Sequence, residues 1–165
     1  IEKYIRLKKP FVIALNTSVS INKKFINIFA ACNPLKLMVD VNLYKTLTLP
    51  LAVPETLLSD DLKKKFKNVK ILDFGVGVKE NRFKFYKTGA IMPKLYTFAY
   101  ALSIATSGNA SKILLAGFDG YGPTDSRTRS IDEIFYLYST FKESKPIIAV
   151  TPTSYSVASS SIYAL

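Results

Sequence analysis

The sequence predicts an α/β protein of the doubly wound, Rossmann-like kind, with a mostly parallel sheet between two helical layers. Three observations carry that expectation. Apolar runs of strand length alternate with segments of helical period, several runs are apolar throughout as strands covered on both faces are, and turn-forming residues separate them.

Taken in order, residues 1–9 read as the tail of a helix stopped by Pro10. The opening residue is not Met and no signal or cap precedes it, so the chain is expected to be the C-terminal fragment of a longer polypeptide. Residues 11–15 form the first strand, which ends in Asn16-Thr17-Ser18. Residues 22–32 place Phe25, Ile26, Phe29 and Ala30 on one helical stripe, and Asn33-Pro34 stops this helix before a second strand at 37–41. Residues 46–53 read as an edge or irregular strand, because Pro50 cannot donate to a ladder. A helix over 55–67 turns Leu57, Leu58, Leu62 and Phe66 inward and Lys63-Lys64-Lys65 to solvent.

Residues 69–74 make a strand closed by Gly75-Val76-Gly77, and Phe83-Lys84-Phe85-Tyr86 alternates as extended chain does. Lys87-Thr88-Gly89 then leads to the longest helix, 93–106, whose small residues suit close packing on a sheet. Residues 113–118 form a strongly apolar strand that runs out into Asp119-Gly120-Tyr121 and a turn-rich loop through Gly122, Pro123, Thr124 and Asp125. Ser130-Ile131-Asp132-Glu133 has the pattern of a capping box opening a helix over 130–142. A last strand, 146–150, ends in Thr151-Pro152-Thr153, and the tail with Tyr155, Val157, Ile162 and Tyr163 is expected to pack on the same single domain of 165 residues.

Composition narrows the function. A hydrophobic share of 48% and a charged share of 21% fit a globular protein, and no apolar run approaches the ~20 residues of a membrane span. Cys32 is the single cysteine, reads as a small buried hydrophobe, and suits a reducing cytoplasm. Histidine is absent, which removes the usual general base and metal ligand, so catalysis would have to use Asp, Glu, Tyr or Lys; no catalytic residue is assigned. The formal charge of +11 points to an anionic partner. Its lysines are scattered and not interleaved with aromatics as a base-stacking platform, which favours a small anionic or nucleotide-linked ligand over specific nucleic-acid binding. Gly75-Val76-Gly77 lacks a third glycine and a following helix, so no dinucleotide fingerprint is read there.

Three polar strand ends, Asn16-Thr17-Ser18, Asp119-Gly120-Tyr121 and Thr151-Pro152-Thr153, define the candidate site, because ligands of open parallel sheets bind outside the carboxyl ends of the strands. Asp119 follows a buried run and so needs a partner or a ligand, or else caps its own loop through the Gly120 and Tyr121 amides. Arg127, with Asp125 and Arg129 in the same loop, carries forked donors that suit phosphate or carboxylate.

Lys87-Thr88-Gly89, the helix segment Tyr100-Ala101-Leu102-Ser103-Ile104-Ala105, and Lys112-Ile113-Leu114-Leu115-Ala116-Gly117-Phe118-Asp119-Gly120-Tyr121 together resemble bacterial lipooligosaccharide sialyltransferases and their Rossmann-like relatives. That resemblance implies a CMP-sugar contact at Gly117, Asp119 and Tyr121, with Asn16 and the Thr88-Gly89 pair as weaker correspondences. The histidine base of that family has no counterpart here. A closer overall likeness, carried by Val12–Asn16, Ala116–Tyr121, Asp125-x-Arg127, Thr151–Tyr155 and Ser161-Ile162-Tyr163, is to the region that follows an HMG-CoA-lyase-like or 4-hydroxy-2-oxovalerate-aldolase-like barrel in bacterial surface-polysaccharide proteins. It implies an accessory domain that binds a nucleotide, sugar or acyl group and holds no cofactor of its own. The preceding barrel would be its partner and would carry a divalent metal and the carbon–carbon chemistry. The ligand-binding set is then Asn16, Thr17, Thr88, Gly89, Gly117, Asp119, Gly120, Tyr121, Arg127 and Thr151. The alternatives are a glycosyltransferase using Asp119 or Tyr121 in place of histidine, and a domain for protein interaction or homo-oligomerisation.

Overall fold

A computed structural model describes residues 1–165 apart from Ser18 and Pro123, so those two members of the expected polar cluster and loop lie outside the described residues. The first half builds a parallel sheet, β1 (Ile13–Leu15), β2 (Ile28–Ala30), β3 (Leu51–Val53) and β4 (Ile71–Asp73), in that spatial order. Its helices are α1 (Glu2–Lys8), α2 (Pro34–Val39), α3 (Val41–Tyr44) and α4 (Asp60–Lys65). A small sheet follows: β5 (Gly75–Val78) lies parallel to β7 (Gly89–Met92), and β6 (Lys84–Tyr86) runs antiparallel on the other side of β7. Helix α5 (Thr97–Ser107) leads to β8 (Ile113–Leu115), α6 (Ser126–Ser139), β9 (Ile147–Ala149) and β10 (Ala158–Ser159), whose strands form a second parallel sheet in the order β10-β9-β8. The fold is thus α/β and doubly wound, mostly parallel, with helices flanking the strands in Rossmann-like layers. Its strands fall into three hydrogen-bonded sheets where the sequence suggested one.

Two expectations exchange places. The run 22–32 is not a helix: after a single 3₁₀ turn at Lys23–Phe25 it becomes β2, and Phe29, Ala30, Ala31 and Cys32 are buried in succession, as an interior strand covered on both faces requires. The expected strand 37–41 falls instead on α2, where Pro34 sits in the first turn and Asn33 Oδ1 caps by accepting from Lys36 N at 3.2 Å. Pro50 also misleads. It stands just before β3, its carbonyl accepts from Phe29 N, and β3 is an interior strand paired with β2 and β4. The helix over 55–67 shrinks to a 3₁₀ turn and α4, which Ser59 caps, with Leu58, Leu62 and Phe66 buried and the lysines outside as expected. Helix α6 starts at Ser126 with Asp125 as its cap, so Ser130–Glu133 lies inside the helix, where Asp132 Oδ1 accepts from Ser156 N at 2.7 Å. Tyr155 is buried, whereas Tyr163 is 90% exposed.

Residues 71–78 are one chain that changes sheets. Up to Asp73 it pairs with β3; from Gly75 it pairs with β7. At the switch the Phe74 carbonyl accepts a buried 2.6 Å hydrogen bond from the Tyr100 hydroxyl of α5. A buried acceptor left unpaired costs about 1–3 kcal/mol. Tyr100→Phe is therefore expected to lower the unfolding free energy by about 2 kcal/mol in urea titration. A change below about 0.5 kcal/mol would mean that water reaches the switch.

Two apolar clusters result. One, around Phe29, Leu37, Tyr44, Leu51, Leu62 and Phe66, binds α2, α3 and α4 to the first sheet. The other, around Phe83, Met92, Phe98, Tyr100, Phe135 and Tyr138, gathers α5 and α6 onto the small sheet and the second parallel sheet.

Candidate functional site at the carboxyl edge

Asn16 follows β1 in the left-handed region, φ 54°, which asparagine tolerates better than most side chains. Its amide extends the ladder to Ala30 O at 3.0 Å. Its Oδ1 accepts two long hydrogen bonds, from Thr97 Oγ1 at 3.4 Å and Tyr44 Oη at 3.5 Å. Thr97 opens α5, and Tyr96 before it supplies no side-chain cap. The end of β1 therefore faces the amino end of α5. Beneath them lies Cys32, fully buried; burial pushes its thiol up to about 12, against a smaller opposing pull from a hydrogen bond with Thr97. Burial likewise raises Tyr44. This floor is polar and uncharged at neutral pH. Thr17 Oγ1, next along the chain, is enclosed without a hydrogen-bond partner among the described residues.

The end of β8 joins the same edge from the other side. Phe118 packs edge-on against Phe98, the second residue of α5, with ring centroids 6.4 Å apart. Gly117, at φ 73°, donates its N–H to Thr151 Oγ1 at 3.0 Å and so ties the end of β8 to the end of β9. Gly120 adopts φ 103°, and a side chain there would run into Ser154, whose amide donates to Asp119 O at 3.0 Å. Thr151 also lines a shallow depression of about 390 Å³ with Pro152, Ser159, Ser160 and Ser161.

Two expectations about charge need correction. Asp119 does not follow directly on a buried run: the apolar strand stops at Leu115, Ala116 and Gly117 are exposed, and so is Asp119. Its carboxylate has no hydrogen bond or ion pair among the described residues, and it does not cap its own loop. Arg127 is not a free loop cation. It sits in the first turn of α6, donating from Nε and Nη2 to the Asp125 carboxylate at 3.0 and 2.5 Å, and its guanidinium lies 3.8 Å from the centroid of the Tyr121 ring. The Arg127 side chain, and then its backbone N–H, hold Asp125 down at about 2. Arg129 is engaged in the same way with Glu133.

Thr88 and Gly89 lie elsewhere. They turn β6 into β7 at the amino end of β7, whereas α5 follows from its carboxyl end. Thr88 is exposed and accepts from Gly75 N through its carbonyl, and no described contact brings the pair to Asn16 or Asp119. Conversely, Thr97, Tyr44 and the Ser159–Ser161 run belong to the edge and were not read from the sequence. Thr97 is hidden by a helix expected to start four residues too early, and Tyr44 by the misread segment before it.

The class defined by the fold and this edge is a Rossmann-like α/β protein with uncharged polar side chains where strand ends meet the start of a helix. No protein-family profile, curated protein or solved structure matches the chain. Among the described residues no group of three or more His, Cys, Asp or Glu side chains is placed to hold a metal ion, and no helix is long and apolar enough to cross a membrane.

Proposed function

We propose that this chain is an accessory ligand-binding domain that takes a nucleotide, sugar or acyl group at the carboxyl edge of its parallel sheets. The observation that carries the reading is the meeting of Asn16 with Thr97 and of Phe118 with Phe98, which joins the ends of β1 and β8 to the uncapped start of α5. Hydroxyl and amide groups at such an edge suit ribose, sugar or base edges, and helix amides favour an anionic substituent. Exposed Asp119 is free to accept from ligand hydroxyls. On the resemblance to surface-polysaccharide proteins, the domain would follow an aldolase-like barrel that performs the carbon–carbon chemistry and would bind part of its substrate, and the lone Cys32 suits a reducing cytoplasm.

A second reading, protein interaction or oligomerisation, is favoured by one observation: Leu35, Met38, Val39 and Leu43 on α2 and α3 are each more than half exposed.

Thermal unfolding with CMP, other nucleotides and CoA separates the two. Ligand at about one hundred times its Kd adds about 2.7 kcal/mol, which for a chain of this size raises the midpoint by roughly 5–10 °C. Asn16→Ala and Asp119→Ala are expected to abolish that rise while leaving the unliganded protein folded. No rise with any of these ligands at about 1 mM overturns the binding reading. If Asp119→Ala unfolds the chain instead, that residue is structural.

A further inference from the structure

A second site lies away from the carboxyl edge, where the turn between β5 and β6 meets the end of α6. Here Asn81, Arg82, Phe83, Lys84, Phe141 and Glu143 line an open depression of about 400 Å³, within the range of small-molecule sites. Local sequence explains its two walls. Phe83 is buried, so the residues on either side of it in the extended chain, Arg82 and Lys84, both turn outward, with backbone positions about 7 Å apart. From that spacing both side chains are long enough for their charged ends to converge on one phosphate. Neither cation forms an ion pair among the described residues, although Glu143 shares the depression. The Lys84 ammonium lies 5.0 Å from the Tyr86 ring centroid.

The floor is aromatic. Phe83 stands edge-on to Phe141, 6.0 Å between centroids, and to Tyr138, 5.4 Å, beneath it. Phe141 is only partly buried, so part of its surface stays open to the depression. Two cations, a partly open aromatic ring and a carboxylate around one depression suit a ligand with an anionic group at Arg82 and Lys84, a flat ring over Phe141, and hydrogen-bond donors at Glu143.

We infer that this depression binds a small organic phosphate bearing an aromatic or heterocyclic ring. The site is independent of the carboxyl edge and stands whether or not the edge binds a ligand. Titration of the full chain with phenyl phosphate and with AMP, followed by backbone amide shifts, tests it. Saturable shifts are expected at residues 81–84 and 141–143, and Arg82→Ala or Lys84→Ala should each weaken binding about tenfold, as loss of a charge-assisted hydrogen bond does. Ribose 5-phosphate and inorganic phosphate, which lack the ring, should bind at least about tenfold more weakly. The inference is overturned if neither ring phosphate saturates by about 10 mM, if both variants bind as the parent does, or if inorganic phosphate binds as well as phenyl phosphate. Shifts confined to residues 16, 97 and 117–121 would assign the ligand to the carboxyl edge and also overturn it.

Discussion

Gly89→Ala is expected to destabilise the protein by about 3 kcal/mol, a fall of roughly 6–12 °C in the thermal midpoint. The cause is a close approach of two backbones. Gly89 opens β7 opposite Gly75 of β5, and a Cβ at Gly89 would sit 2.7 Å from the Gly75 carbonyl oxygen and 3.2 Å from its carbonyl carbon. Backbone cannot swing aside as a side-chain tip can, so either the pairing of β5 with β7 opens or the strands separate along their length. Gly117→Ala is the control. It carries a left-handed φ of 73° but has no neighbour within 4 Å, so it pays only the conformational strain of about 1–2 kcal/mol. Equal effects at the two positions would mean that β5 and β7 are not closely paired. Gly89 thus has a packing role of its own, whatever else the Thr88-Gly89 pair does.

The second large effect concerns Cys32. Its thiol, raised from 9.0 to about 12 by burial, presents roughly a thousandfold less thiolate in mildly alkaline solution than an unperturbed cysteine does. Alkylation by iodoacetamide at about pH 8 should accordingly be slower by about three orders of magnitude in the native protein than in urea. Native Cys32 reacting as fast as the unfolded thiol would mean that the floor beneath Asn16 and Thr97 is open to water. The same shift sets the pH dependence of stability. An acid whose folded value lies above its unfolded one stabilises the fold fully below the unfolded value and ceases to do so as pH climbs through the folded value. For Cys32 the loss begins near 9 and continues to about 12, and Tyr44, Tyr100 and Tyr138, all raised by burial, act in the same direction. Urea midpoints should therefore hold level toward pH 9 and fall steadily above it.

The α/β class is legible in the sequence because buried parallel strands leave apolar runs and solvated helices leave lysine faces, as at residues 51–53 and 55–67. The assignment of 22–44 is not legible from periodicity alone. Phe25, Ile26, Phe29 and Ala30 fit a helical stripe, and what decides for a strand is that Ala31 and Cys32 are buried too, which depends on tertiary packing on both sides of the sheet. Asn33-Pro34 stands at the boundary in either reading, as a stop signal or as a helix cap. Of the small sheet only β6 is legible, in the alternation of 83–86; the glycines of β5 read as the close of the preceding strand, and β7 is too short to stand out before its pairing is seen. At the candidate site, polar strand ends at Asn16, Asp119 and Thr151 are legible as local chemistry. The charge state of the site is not, since whether Asp125 neutralises Arg127 depends on where α6 begins.

Amide shift mapping of the isotopically labelled chain with CMP is the most direct test of ligand binding at the carboxyl edge. Saturable shifts are expected at Asn16, Thr97, Gly117, Asp119, Gly120, Tyr121 and Thr151 together, lost in Asn16→Ala while the spectrum stays folded. Shifts absent from these residues at about 5 mM CMP, or equal in Asn16→Ala, would contradict it.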